Sequence, residues 1–303
     1  MTPKLMHSGK VKEVWSTDVD DVLEFRFTDR ISVFDQIIPS MIPGKGKSLN
    51  HCATYWMEAI ERSGICPTHL IERTSSTSCL VKAASIHREA GTTPRDAEWV
   101  FVPLEFVSRH YLTGSALRRL ERGELSREDL GLASDVEIRD GLQLPEPFVE
   151  VTTKFESHDR PVEMEEALAI SNLRPEEFTA ITSAVLAIDE LIENRCNEIG
   201  LIHVDGKKEF ALGKDRIPVL VDTLGTLDED RWWDAGALEE GQIQQLSKEF
   251  VRRHYMAIGH LDEVEQARAD GLPEPPIPAL PEGLIEQTSK LYHDLAKRIT
   301  GQG

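Results

Sequence analysis

The sequence predicts an α+β protein, on three observations: strand patterns that pair as an antiparallel hairpin near the start, a long amphipathic helix over 175–199, and further antiparallel strand patterns directly after it. In the first, Val11, Glu13 and Trp15 alternate with other residues. After Asp18-Val19-Asp20-Asp21, Leu23, Phe25 and Phe27 fall on one face, with Glu24 and Arg26 on the other. A Gly-rich loop over 43–47 then leads to Ser48, a predicted N-cap for an amphipathic helix over 49–62. Short strands are expected around 70–72 and 79–81. Residues 87–98, with Gly91, Thr92, Thr93 and Pro94, lack periodicity and read as a surface loop or insertion.

The helix over 175–199 carries apolar residues at Phe178, Ile181, Val185, Ile188, Leu191 and Ile192, with Asn172 or Pro175 marking its start. It should pack on a sheet of strands 201–205, 209–212 and 217–222, with a turn at Gly213-Lys214-Asp215. Two more helices, 242–257 and 282–299, flank a linker with prolines at 273, 275, 276, 278 and 281, expected to run extended over the surface. No internal repeat is present. A chain of 303 residues exceeds the roughly 100–200 of one domain, so one large or two fused domains are expected.

With 53 acidic against 34 basic side chains the formal charge is −19, a poor match to nucleic-acid backbones. No apolar run approaches the ~20 residues of a membrane span, and residues 1–12 lack a signal-peptide pattern, so the expected location is cytoplasmic. Cys52, Cys66, Cys79 and Cys196 have spacings unlike a zinc site or a disulfide framework and are expected to be reduced and structural.

Three clusters carry chemistry. In Gly9-Lys10-Val11-Lys12 a glycine lets the backbone approach phosphate oxygens while two lysines supply charge; the plainer reading is a solvated strand edge. Glu209, in Val204-Asp205-Gly206-Lys207-Lys208-Glu209-Phe210, and Asp222 could point the same way from adjacent antiparallel strands and hold a hard cation, as Mg²⁺-nucleotide chemistry requires; either could equally be a strand-end surface charge. Arg109-His110-Tyr111-Leu112-Thr113-Gly114-Ser115 enters a helix with free N–H groups, a hydroxyl and a guanidinium, which makes an anion cradle or an ordinary N-cap at Ser115.

Together with Asp29-Arg30-Ile31-Ser32-Val33-Phe34-Asp35, Gly44-Lys45-Gly46, Thr152-Thr153-Lys154 and Lys207-Lys208-Glu209-Phe210, these motifs occur in an order that resembles the SAICAR synthetase family, from Gly9 to the closing helix. The resemblance implies an ATP-grasp-like two-lobe fold. Residues 1–105 would form a mainly antiparallel lobe covering ATP, and 106–303 an α/β lobe with the metal and substrate sites and the C-terminal helices. It implies an ATP-dependent carboxylate–amine ligase of purine biosynthesis that converts the carboxylate of an aminoimidazole ribonucleotide (CAIR) to an acyl phosphate and joins it to L-aspartate.

The implied cofactors are ATP and Mg²⁺. Gly9, Lys10, Val11, Lys12 and Lys82 would meet the nucleotide, Glu209 and Asp222 the metal, and Lys207, Glu209 and Asp222 would form the catalytic set. Ser32, Asp35, Arg109, Ser115, Asp228 and Arg231 would bind substrate, with Asp228 facing ribose hydroxyls. Lys154 and the His158-Asp159 pair would lie near the amino acid; the alternative for His158 is a loop histidine without a chemical part. The implied partners are small molecules, with no nucleic acid and no membrane; a homodimer is left open.

Four positions depart from the family pattern. Thr223 stands where a Glu usually follows the Asp, and Leu227-Asp228-Glu229-Asp230-Arg231 replaces Pro-Asp-Ser-Ser-Arg. The loop over 154–159 is short, and 88–98 looks inserted. Carboxylates at Glu229 and Asp230 would repel a phosphate if they point inward. They therefore motivate a paralogue that ligates a different heterocyclic acid or amine by the same chemistry. A non-catalytic metabolite-binding descendant and a phosphotransferase that stops at the phosphorylated product are the remaining alternatives.

Overall fold

The computed structural model describes residues 3–156 and 159–301. Strands β1 (Leu5–Ser8), β2 (Lys12–Ser16) and β3 (Val22–Phe27) run as successive antiparallel neighbours. The β2–β3 register pairs Lys12 with Phe27 and Val14 with Phe25, so Lys12 and Val14 share the face of the buried Phe25 and Phe27. Glu13 and Trp15 go to the opposite face, where the Arg26 guanidinium lies 4.3 Å from the Trp15 ring centroid.

After β4 (Arg30–Val33) and β5 (Gln36–Met41) comes α1 (Lys45–Ser63), four residues earlier than the expected start. Gly44, with φ 78°, is the N-cap, and the Asp29 carboxylate supplies the capping oxygens, accepting the N–H of Gly46 at 2.9 Å and of Gly44 at 3.3 Å. Ser48 instead lies inside the first turn and donates to the Gly44 carbonyl. Strands β6 (Leu70–Arg73) and β7 (Ser78–Lys82) complete a five-stranded sheet in the order β1-β2-β3-β7-β6.

The second sheet takes β8 (Val100–Phe101), β9 (Leu104–Leu112), then, beyond α2 (Gly114–Glu121), β10 (Leu142–Thr153) and β11 (Pro161–Val162). After α3 (Met164–Ser171), closed by Asn172 at φ 55°, comes α4 (Pro175–Ile199), whose bounds match the expected helix. Proline opens it, and the Glu177 carboxylate accepts the Arg174 N–H at 2.8 Å. β12 (Leu201–Leu212) is one twelve-residue strand where two were expected. It pairs with β9, with β8, with β13 (Pro218–Val221) and with β14 (Asp230–Asp234). The sheet order is β11-β10-β9-β12-β13.

The last quarter holds α5 (Ala235–Glu239), α6 (Glu249–Ala257), α7 (His260–Ala269) and α8 (Glu282–Thr300). α6 starts seven residues later than expected because the preceding segment adds to β14: Gln245 bridges to Trp233, and the Leu246 N–H donates to the Trp232 carbonyl. α7 was not foreseen. The proline segment is extended, yet Ile277 and Leu280 are buried against β4 and β5, and the Leu280 N–H donates to Ser40 Oγ. It straps the fold instead of lying free on its surface.

The main core joins both sheets through α1, α4 and α8, with Trp56, Phe106, Phe210 and Tyr292 fully buried. All four cysteines are buried and unbridged, and burial pushes the thiols of Cys52, Cys79 and Cys196 up to about 12. Among the described residues no helix is long and apolar enough to cross a membrane.

Candidate active site

A cavity of about 490 Å³ opens between the two sheets. Val14, Leu23, Phe25 and Val81 give the first sheet's wall an apolar surface, while Lys154, Glu209 and Asp222 line it from the other side. One apolar flank and one charged end suit a flat heterocycle carrying a polyphosphate. Gly9, Lys10 and Val11 line the mouth, where the Gly9 N–H closes a turn onto the Lys12 carbonyl at 2.9 Å. Lys10 reaches Asp35 at 2.5 Å, both side chains exposed at the rim. Lys82 lies 3.5 Å from the Trp99 ring centroid on the cavity wall.

The charged end is dense. Glu209 Oε1 accepts from Lys154 Nζ and Lys207 Nζ, both at 2.7 Å, while Glu209 Oε2 is buried with no hydrogen-bond partner among the described residues. Burial would raise this carboxyl, but the two ammonium groups overcome it and hold the pKa at about 2. Glu105 Oε1 receives the same two lysines at 2.9 Å, and burial raises its pKa. The sequence reading did not find Glu105, because no motif marks it. Lys12 contacts Asp222, which leaves β13 at φ 64°, a conformation rare outside glycine and found where a side chain must be aimed. Burial lowers Lys12 to about 8, against the raising effect of Glu209 and Glu229. His69 Nε2 lies 3.3 Å from the Asp222 carbonyl, and burial keeps this imidazole neutral with a pKa near 3. Thr223 Oγ1 donates to Asp222 Oδ1 at 3.3 Å, so the departure from the family's acid leaves a hydroxyl supporting the remaining carboxylate.

A second cavity, about 170 Å³, adjoins the first through Lys207 and Glu229 and is lined by Arg109, Arg231, Lys248 and Arg252. Glu229 lines both spaces and lies 3.4 Å from Lys207 Nζ. Lys248 and Arg252 went unnoticed in the sequence, although their i, i+4 spacing puts both on one face at the start of α6.

Several side chains expected to contact substrate are already engaged within the protein. The Arg109 guanidinium is already held: Nε and Nη2 donate to Glu150 Oε1 at 2.8 and 2.5 Å, Nη1 to Asp205 at 3.0 Å, and Nη2 to Ser115 Oγ at 3.4 Å. Arg109 and Ser115 therefore fix the floor of the second cavity instead of offering an open fork. Arg231 is the freer guanidinium, with one 3.4 Å approach to Asp205. It passes over Gly114, where a Cβ would lie 2.4 Å from Arg231 Nη1. Asp228 lines the second cavity with its carboxylate engaged by the protein: its oxygens accept from buried Lys45 Nζ at 2.6 Å and from Tyr292 OH at 2.5 Å. Asp230 turns into the core, accepting from Gly225 N–H at 2.9 Å and lying 2.7 Å from His203 Nε2.

Ser32 is buried in β4, outside the walls of both cavities. Asp159 lies within the field of Lys207 and Lys154, yet burial raises its pKa. His158 lies outside the described residues. The segment that looked inserted is tied down: Asn172 donates to the carbonyls of Gly91 and Thr93 at 2.7 and 2.9 Å, and Arg88 stacks 4.7 Å from the Phe155 centroid beside the first cavity.

A family model described as SAICAR synthetase matches residues 5–267. The chain is 44% identical over 299 residues to the phosphoribosylaminoimidazole-succinocarboxamide synthase of Thermoplasma acidophilum, covering 99% of both chains. It is 41% identical, again with 99% of both chains covered, to the protein of the same name from Thermoplasma volcanium. Among solved structures, the SAICAR synthase of Saccharomyces cerevisiae in complex with SAICAR has the same fold, with TM-score 0.73 and 22% identity over 99% of this chain and 95% of that one.

Proposed function

This chain belongs to the SAICAR synthetase family, and from that premise we propose how its two cavities divide the work. It is an ATP-dependent ligase that joins CAIR to L-aspartate. In our reading ATP occupies the larger cavity, between lobes formed by residues 1–105 and 106–303, and the ribonucleotide acid occupies the smaller. The observation that carries this assignment is the contact between them: Lys207 lines the small cavity while donating to Glu209 of the large one.

The heterocycle's carboxylate oxygen attacks the γ-phosphorus, the bond to the bridging oxygen breaks, and ADP leaves. The α-amine of aspartate then attacks the acyl carbon; the C–N bond forms, phosphate departs with the C–O bond, and the amine loses a proton. Lys12 and Lys10 offset nucleotide charge, and Lys207 lies where carboxylate and γ-phosphoryl meet. Arg231, Lys248 and Arg252 take the ribonucleotide phosphate, with Arg109 and Ser115 positioning the floor beneath them. Lys154 and Asp159 lie on the amino-acid side.

The residues fit Mg²⁺: Glu209 Oε2 is a buried carboxylate oxygen without a hydrogen-bond partner among the described residues, and Asp222 supplies hard oxygen donors to the same cavity. Glu209 and Asp222 would hold the ion, which when bound neutralises charge on the β and γ oxygens. The lysines that now pair with these carboxylates are the groups that phosphates would recruit.

Of the two acids that motivate the paralogue reading, Asp230 is turned into the core, whereas Glu229 lines both cavities and is balanced there by Lys207. The test is an assay of purified protein with CAIR, L-aspartate and Mg²⁺-ATP. ADP release should require both the acid and the amine, with SAICAR as the product by mass spectrometry. Turnover only with another acid, or a phosphorylated product without amine, would overturn the assignment.

Lys12 makes the reaction pH-sensitive. Its lowered pKa, about 8, leaves it charged at pH 7 and mostly neutral at pH 9. The loss of charge follows rising pH, so kcat/KM for ATP should fall about tenfold between those values. In Lys12→Arg the profile should be flat across this range. A flat wild-type profile would remove Lys12 from phosphate binding.

A further inference from the structure

Behind β12, on the side away from the cavities, lies a second cluster that the ligase chemistry does not use. The strand pairing is interrupted between His203 and Asp205, and this irregularity puts His203 on the same side as Lys208, while Lys207 and Glu209 face the active site. His110 on β9 and Asp189 on α4 complete the group, all buried. Among the described residues these are the His and carboxylate side chains whose donor atoms gather at ligand spacing: one atom each from His110, Asp189 and His203 lies within 4.8 Å of the others.

Three atoms in this cluster, His110 Nε2, His203 Nδ1 and Asp189 Oδ2, are buried with no hydrogen-bond partner among the described residues. Their closest approaches, 3.6 Å from His110 Nε2 to Asp189 Oδ2 and 3.7 Å from His203 Nδ1 to Asp189 Oδ1, are too long for hydrogen bonds. They approximate the roughly 3.4 Å that separates ligands around a four-coordinate ion bound at about 2.1 Å.

Every other polar atom of the trio is engaged. His110 Nδ1 lies 3.0 Å from Glu193, His203 Nε2 lies 2.7 Å from Asp230, and Asp189 Oδ1 takes Lys208 Nζ. A carboxylate lies on the far nitrogen of each imidazole and orients the ring, which is the arrangement found behind metal-bound histidines. Asp189, Asp230 and Glu193 are set around the single ammonium of Lys208. Asp189 and Glu193 raise the His110 pKa to about 9 despite burial, so an ion bound there would displace the imidazole proton.

We propose that His110 Nε2, His203 Nδ1 and Asp189 Oδ2 bind one divalent transition-metal ion, Zn²⁺ by ligand type, as a structural clasp joining β9, α4 and β12. The imidazole–carboxylate set suits zinc over magnesium, and the three protein ligands leave one position for an enclosed water. This site is separate from the Mg²⁺-nucleotide cavity and does not depend on the ligase assignment.

The test uses the full chain. After dialysis against EDTA to remove exchangeable ions, elemental analysis should find close to one equivalent of zinc per chain. Stripping the metal under mild denaturant should lower Tm by several degrees, and Zn²⁺ should restore it. Co²⁺ added to stripped protein should give the visible absorption of a four-coordinate site, saturating at one equivalent. Asp189→Asn and His203→Gln should abolish the cobalt spectrum; if either variant fails to fold, the wild-type reconstitution decides. Stripped wild-type protein that binds neither Zn²⁺ nor Co²⁺ saturably, with both imidazoles protonated by NMR near neutral pH, would overturn the proposal in favour of a proton-compensated core.

Discussion

Glu209→Gln is expected to lower kcat by about 10²–10³-fold at saturating nucleotide, while leaving the thermal midpoint within a few degrees of wild type. The amide oxygen can still accept from Lys154 and Lys207, as Glu209 Oε1 does at 2.7 Å, so the packing survives. What is lost is the anionic charge that Oε2, without a hydrogen-bond partner among the described residues, shares and that the two lysines hold ionised to a pKa of about 2. Glu209→Ala should be harsher in both respects. It leaves Lys154 and Lys207 with Glu105 as their shared partner and should cost about 3–5 kcal/mol in stability. Steady-state ADP release across a Mg²⁺ titration, beside thermal melts of both variants, separates the two effects. A Gln variant with wild-type turnover would show that the metal is held elsewhere.

The parts of this architecture that local pattern controls were legible in the sequence. α4 has its apolar period, its opening proline and a terminal glycine, and it forms over the expected residues. Glu209 and Asp222 were expected to face the same way from adjacent strands and both line one cavity, but the register pairs Glu209 with Val221, and Asp222 reaches the cavity only by leaving β13 at φ 64°. The gap left between strands 201–205 and 209–212 is continuous strand, and its Gly206 suits the position because a Cβ there would meet Asp230 Oδ2 at 2.1 Å. The side chains that the protein itself engages share a different cause. Asp228 is bound by Lys45 and Tyr292, which are 183 and 64 residues away, and no spacing rule reaches that far. The same holds for Asp230 with His203 and for Glu105 with its lysines. Residue type restricted what each group could do, and long-range packing decided whether a ligand or the protein itself would be its partner.

Arg109 gives that distinction its sharpest test. Were it an open phosphate fork, Arg109→Ala would raise the KM of the ribonucleotide acid and leave the fold intact. Instead the guanidinium is buried and spans Glu150 and Asp205, themselves nearly inaccessible, and its presence holds Glu150 below the usual carboxylate range even though burial raises it. Removing it strands Asp205 with only the distant Arg231 at 3.4 Å and leaves Glu150 to Arg119. The expected result is a loss of about 3–5 kcal/mol in stability, read as a lower denaturant midpoint with activity falling in step with the folded fraction. Arg231→Ala should do the reverse, because Arg231 is partly exposed, lines the small cavity and has a single long ion pair. It should raise the KM of the acid by about tenfold or more with little change in stability. Equal stability of the two variants would return Arg109 to the role of a substrate ligand. The contrast arises because the first guanidinium has spent its donors on the protein before substrate arrives, whereas the second keeps most of its own for the incoming anion.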